Sequence, residues 1–127
     1  MENYKKFAKT LYNLKDSAEY SFTGNYPMTE EKFITIDWIT GVAENGTAIT
    51  TKTNPHTELT WEKVNTEMVR LQTEYEAQEY ARNRQVEYPA TTEFLEAYTE
   101  KEIGGDSTKW DAYVVKYNKV RSDVPKP

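Results

Sequence analysis

Chemistry in a small protein starts from the side chains able to move protons, hold metals or attack a substrate. This 127-residue chain has no Cys and one His, His56. Disulfides, thiolate sites and sites needing two imidazoles are thereby excluded. His56 sits in Asn54-Pro55-His56, a turn sequence that reads as a surface loop rather than a metal ligand. Pairs such as Glu74 with Glu79, or Glu96 with Glu100, have the residue types of a general acid and base. Among 21 acids such pairs arise by chance. Ser17, Ser21, Ser107 and Ser122 lack a nucleophile elbow, and Gly104-Gly105-Asp106 lacks the Lys-Ser/Thr of a phosphate loop. The glycine pair reads instead as a helix stop. Arg82 and Arg84, beside Gln78, Gln85 and Tyr80, fit an anion and a solvated helix face equally well. No catalytic residue, metal site or cofactor is expected.

The elements that must position these groups follow from period. Tyr4, Phe7, Leu11, Leu14 and Ala18 step by three and four, which predicts an amphipathic helix over residues 3–19. In Lys32–Ile39 the period changes to two, with Ile34, Ile36 and Trp38 on one face, the strongest strand signal in the chain. Asn45-Gly46 fits a type I′ turn leading into Thr47–Thr51 as the returning strand. Thr60 reads as an N-cap with Leu59 as a staple residue, opening a long helix to about Val86 that Pro89 terminates. Trp61, Val64, Met68, Leu71 and Tyr75 form its seam. Thr91 or Thr92 is expected to cap a shorter helix, and Ser107 a last one carrying Trp110, Tyr113, Val114, Tyr117 and Val120 on one side. Residues 93–106 carry five acids and one Lys, whereas 107–127 carry five bases and two acids, so an antiparallel pair of these helices is charge-complementary. Residues 122–127 read as an extended tail.

These elements define an α+β fold: N-terminal helix, β-hairpin, long helix, C-terminal helical hairpin. Residues 1–59 hold the first helix and hairpin, residues 60–127 the remainder, together as one structural unit. Hydrophobic residues make up 37% of the chain, below the 45–50% common in globular domains, and 10 of its 17 aromatics are Tyr. A thin core and a Tyr-rich surface suit an interface protein. The seams Tyr4–Ala18 and Trp61–Tyr75 fit packing within one monomer and packing between copies or onto a partner equally well. Candidate interface residues are Phe7, Leu11, Leu14, Trp61, Met68, Leu71, Tyr75, Tyr80, Arg82 and Tyr88. Trp38, Trp61 and Trp110 each lie on an apolar stripe, which favours packing over stacking on a ligand. Net charge is -5 with no basic block, so no nucleic-acid partner is expected. No apolar run reaches the length of a membrane span and the first six residues lack the apolar stretch of a signal peptide, so no membrane partner is expected either.

The second half also carries an ordered set of segments. They are Thr60-Trp61-Glu62, Tyr80-Ala81-Arg82-Asn83-Arg84, Glu87-Tyr88-Pro89, Glu93-Phe94-Leu95-Glu96-Ala97-Tyr98, a Gly-Asp turn, Lys109-Trp110 and the ending Val124-Pro125-Lys126-Pro127. In order and spacing this half resembles small proteins, or C-terminal modules, encoded among the tail genes of tailed bacteriophages, especially marine ones. The pattern departs at Phe94-Leu95-Glu96, where that family commonly has Gln-Leu-Asp, and at Asp123-Val124-Pro125, where it has Lys-Tyr-Pro. The resemblance implies a non-enzymatic component of a tail, fibre or adaptor, made in the host cytoplasm and located in the virion. Its implied partners are other tail or fibre proteins and copies of itself. Two alternatives are a fibre-assembly chaperone and a carbohydrate- or receptor-binding module. The resemblance implies no catalytic residue.

Overall fold

A computed structural model describes residues 1–127 as α1 (Asn3–Leu14), β1 (Tyr20–Ser21), α2 (Glu30–Phe33), β2 (Asp37–Val42), β3 (Ala48–Thr51), α3 (Trp61–Ala77), α4 (Glu79–Glu87), α5 (Thr91–Glu102) and α6 (Thr108–Asp123). The α+β class and the order of helix, hairpin and C-terminal helices are as the sequence indicates. The chain divides into two compact units, Met1–Tyr75 and Glu76–Pro127. That boundary lies near the end of α3 rather than at residue 59, because the apolar face of α3 belongs with the N-terminal elements.

In the first unit, Phe7, Leu11, Phe33, Ile36, Trp38, Leu59, Val64 and Met68 form one buried cluster. Helix α1 is shorter than its pattern: it ends at Leu14, and Asp16-Ser17 turn the chain, with the Ala18 amide donating to the Lys15 carbonyl. Ala18 still packs on the core. The stretch read as one strand from Lys32 begins as helix. Thr29 caps α2 through its side chain, Glu30 and Glu31 favour the first turn, and Phe33 goes inward. Ile34 is consequently 66% exposed, while Ile36 and Trp38 are buried as the alternation requires.

The sheet is antiparallel in the order β1-β2-β3. Its third strand, the two-residue β1, is too short for period two to register in the sequence; Tyr20 pairs with Trp38 and Ser21 with Asp37. The loop at Asn45-Gly46 is not a type I′ turn. Only Gly46 has positive φ, at 82°, and the Gly46 amide donates to the Ala43 carbonyl while Ala43 N–H donates to Thr47. This is the three-residue hairpin connection, with the glycine alone in the left-handed region. In the paired strands Trp38 faces Thr51 and Ile39 faces Thr50, then Gly41 faces Ile49, leaving Thr40 as a bulge.

Helix α3 opens as expected, with the Lys63 amide donating to Thr60 Oγ1 at 3.4 Å and Leu59 fully buried. The long helix predicted to Val86 is interrupted at Gln78, whose φ and ψ of -100° and 7° are non-helical, so α3 and α4 are separate. Pro89 stops α4 as read: Tyr88 is extended, with ψ 145°.

In the second unit α5 and α6 form an antiparallel hairpin. Lys109 reaches Glu96 and, at 2.6 Å, Glu100, while Lys116 reaches Glu93, which is the complementarity read from the two charge blocks. The connection depends on both glycines. Gly105 has φ 69°, and a Cβ on Gly104 would stand 2.8 Å from the Glu100 carbonyl oxygen. The expected caps differ. Ala90, not Thr91 or Thr92, precedes α5 and supplies no side-chain cap, because its methyl group carries no acceptor. At α6, Asp106 rather than Ser107 accepts the Thr108 amide, at 2.9 Å. Helix α6 also runs through Ser122 and Asp123, two residues into the predicted tail, since Pro125 constrains only the residue before it.

Candidate functional site

The interface residues expected from the two seams separate into those the fold consumes and those it leaves outside. Phe7, Leu11 and Met68 lie inside the first unit's core, Leu14 and Trp61 pack against that core partly buried, and Leu71 is also buried. Phe7, Leu11, Met68 and Leu71 are therefore not available as surface for another chain. The hairpin explains the difference: Ile36 and Trp38 supply apolar area that the two narrow seams lack by themselves. Only Tyr75, 38% exposed, keeps much of its ring outside. Beside the buried seam Glu67 accepts from Arg70 at 2.7 Å and from Asn13 at 2.8 Å. The Arg70 hydrogen bonds hold its carboxyl down at about 2.

The Arg82–Pro89 stretch, which holds the candidate interface residues Arg82 and Tyr88, is used largely within the second unit. Arg84 is buried, on neither a solvated face nor an open anion site, the two readings the sequence left equal for it. Its Nε donates to the Val124 carbonyl at 2.7 Å and its Nη2 to the Arg121 carbonyl at 3.4 Å, while the guanidinium lies 5.2 Å from the Tyr80 ring centre. Those carbonyls are among the groups a helix leaves unpaired at its C-terminus, so Arg84 acts as the cap of α6. Arg82 is half-buried, as are Tyr80 and Tyr88. A cation at a helix C-terminus is a readable signal only within one helix; here forty residues separate donor and acceptor.

One continuous surface feature joins residues from the end of α4, from α5 and from α6. Tyr88 stacks on Tyr117 with ring centres 5.0 Å apart, Tyr117 follows Tyr113 at 6.3 Å, and Tyr113 follows Trp110 at 6.0 Å. Trp110 then meets Tyr98 and Phe94 of α5, each at 6.0 Å. None of the six is buried, and Tyr98 is 47% exposed. Lys101 Nζ stands 4.7 Å over Trp110, and Arg121 donates to the Tyr117 hydroxyl at 3.3 Å. Hydrogen bonds from Arg121 and then Tyr88 pull the Tyr117 phenol below its ordinary range. Period and spacing place Trp110, Tyr113 and Tyr117 on one side of α6, but the junction with Tyr88 and α5 is tertiary.

The residues weighed for chemistry are engaged within their own units. His56 is half-buried rather than a bare surface residue: its ring meets the edge of Trp38 at 5.4 Å, and Asn54 folds the loop by accepting the His56 amide and donating to the Leu59 carbonyl. Its Nε2 is buried without a hydrogen-bond partner. Glu74 pairs with Arg70, and Glu96 with Lys109. No three His, Asp or Glu side chains converge as a metal-binding group, and no helix is long and apolar enough to cross a membrane. Comparison of the chain with protein-family models, with curated proteins and with solved structures gives no match.

Proposed function

We propose that this chain is a non-enzymatic structural component of a bacteriophage tail, fibre or adaptor that works through protein–protein interfaces. The observation carrying the reading is the unequal use of apolar side chains. The first unit gathers its own into a closed core, whereas the second buries only Ala97 and Val120 among apolar residues and leaves Val86, Leu95, Ile103 and Val115 outside. A helical hairpin with so little interior gains most from apolar surface covered by another chain. The ordered segments from Thr60 to Pro127 lie almost wholly in that unit, and their resemblance to tail-associated proteins supplies the assembly. Other tail or fibre proteins and further copies of the chain are the partners this reading names.

Mass spectrometry of gradient-purified particles of the encoding virus, with antibody labelling of the same particles, tests the assignment. The expected result is the chain at a fixed ratio to the tail proteins and label on the tail. Its presence in infected-cell lysate but absence from particles would overturn the component reading and leave an assembly chaperone. Sedimentation velocity of the purified chain over a range of concentrations tests self-association, with a concentration-independent monomer counting against it.

A further inference from the structure

Strand β3 is the outer strand of the first unit's sheet, and its outer side is open, residues 47–50 all being exposed. The ladder fixes which backbone groups face outward. Ala43 gives its amide to the Thr47 carbonyl, so Thr47 turns toward β2. Ile39 gives its amide to Glu19 on the far side of β2, so the Ile39–Thr50 pair exchanges no hydrogen bond. By alternation Ala48 and Thr50 point their N–H and C=O groups away from the sheet. Sheet edges are ordinarily guarded by Lys, Pro or a bulge. Thr47-Ala48-Ile49-Thr50-Thr51 has no charge and no proline, and the Thr40 bulge belongs to the inner strand. Lys52, the next residue, is held by the Thr35 carbonyl at 2.8 Å and by Asp37 at 2.9 Å. In the middle of the strand Ile49 is 49% exposed, because Gly41 opposite it has no side chain to cover it.

Outward donors and acceptors on an extended strand call for another extended strand, not for a helix or a flat apolar surface. The strand that matches is β3 itself. When two copies run antiparallel about a two-fold axis at Ile49, Ala48 of each faces Thr50 of the other, and both pairs exchange N–H···O=C bonds. Ile49 meets Ile49 of the second copy in the close, non-hydrogen-bonded position between those pairs, which covers its exposed side chain. Neither strand carries a charge to repel the other. We propose that β3 is a self-pairing edge that joins two copies of the chain into one continuous antiparallel sheet. Such pairing rests on the reading that further copies of the chain are partners, and gives that contact a place in the first unit. The strand is short, so the dimer is weak and concentration-dependent.

Sedimentation velocity of the full chain up to roughly millimolar concentration, with amide hydrogen exchange over the same range, tests the pairing. The expected result is a dimer whose share rises with concentration while exchange at Ala48 and Thr50 slows. Ile49→Lys and Ile49→Glu each set like charges across the axis and should weaken the dimer about tenfold, whereas an equal mixture of the two should restore it. Ala48→Pro removes an outward amide and leaves the ladder to β2 intact, and gives a second reading should an Ile49 variant lower the urea midpoint. Ile103→Lys, at an exposed position of the second unit, is expected to leave the dimer unchanged. A monomer at every concentration overturns the pairing and leaves the edge to a strand of a different chain; presence in particles, read by mass spectrometry, is unaffected by that result. A dimer that persists in a folded Ile49→Lys or Ala48→Pro chain, or that mixing fails to restore, also overturns the pairing and moves self-association to another surface.

Discussion

Arg84→Ala removes the side chain by which α4 caps the end of α6, and its cost follows from three contacts. The Nε donor to the Val124 carbonyl at 2.7 Å is a charge-assisted bond in a buried setting, about 1.5–3 kcal/mol. The second bond, at 3.4 Å to Arg121, is long and adds little. The guanidinium over Tyr80 at 5.2 Å contributes about 0.5–1 kcal/mol. Water can replace part of the lost bonding at a helix terminus, so the expected net cost is about 2 kcal/mol. Because the chain has two units, one melting curve need not report this cleanly. Amide hydrogen exchange over the last turn of α6 does, and about thirtyfold faster exchange there is expected. Arg84→Met keeps much of the buried stem and isolates the hydrogen bonds, and should retain part of the protection. Exchange at Val120–Val124 within about twofold of the parent chain would refute the capping role, since surface substitutions stay within about 0.5 kcal/mol.

Gly104→Ala should speed amide hydrogen exchange across the α5–α6 hairpin, because its Cβ would meet the Glu100 carbonyl at 2.8 Å; unchanged exchange there would count against the connection. Gly46→Val should destabilise the first unit by about 1–2 kcal/mol through its positive φ, whereas Gly41→Ala, whose Cβ meets only Ile49 at 3.8 Å, should be nearly silent in urea unfolding. Leu11→Ala should cost about 2–5 kcal/mol and the half-exposed Leu95→Ala under about 0.5, measured by the same unfolding. Glu67 is lowered in the folded chain, so its contribution is complete above about pH 4.3, the unfolded value, and declines as pH falls toward about 2. With Arg70 half exposed the contribution is discounted to about 1 kcal/mol, and Glu67→Gln should flatten that part of the acid unfolding profile.

Local signals were legible where one physical cause dominated. The Thr60 cap, the Pro89 stop, the glycine stop and the opposite charges of α5 and α6 each depend on neighbours in sequence or on net charge, and each is present. Failures arose where two local causes competed. At Thr29–Phe33 an N-cap with two first-turn acids outweighed β-branched alternation, so the predicted strand opens as helix at Lys32 and Phe33 and pairs only from Asp37. At Asn45 the strands close through a three-residue loop, which needs positive φ once rather than twice. The two seams left packing within one chain and packing against another equally open for a different reason. Seam width describes one helix alone, whereas burial of Phe7, Leu11 and Met68 depends on the hairpin packed against them. The Arg84 cap and the aromatic row join residues far apart in the chain, and no periodicity reports that.

The bulge at Thr40 gives the sheet a spare link. In a regular ladder, losing one residue sends every side chain beyond it to the opposite face. Here Trp38 and Gly41 share one face, as do Ile39 and Val42, because Thr40 faces no residue of β3. Deleting Thr40 would therefore shorten β2 while leaving the inside and outside of the hairpin as they are, at the loss of little more than its 3.4 Å hydroxyl contact with the Ile49 carbonyl. The strand can change length at this point without changing its meaning, so over descent residue 40 is where the hairpin can gain or lose a residue and keep its core.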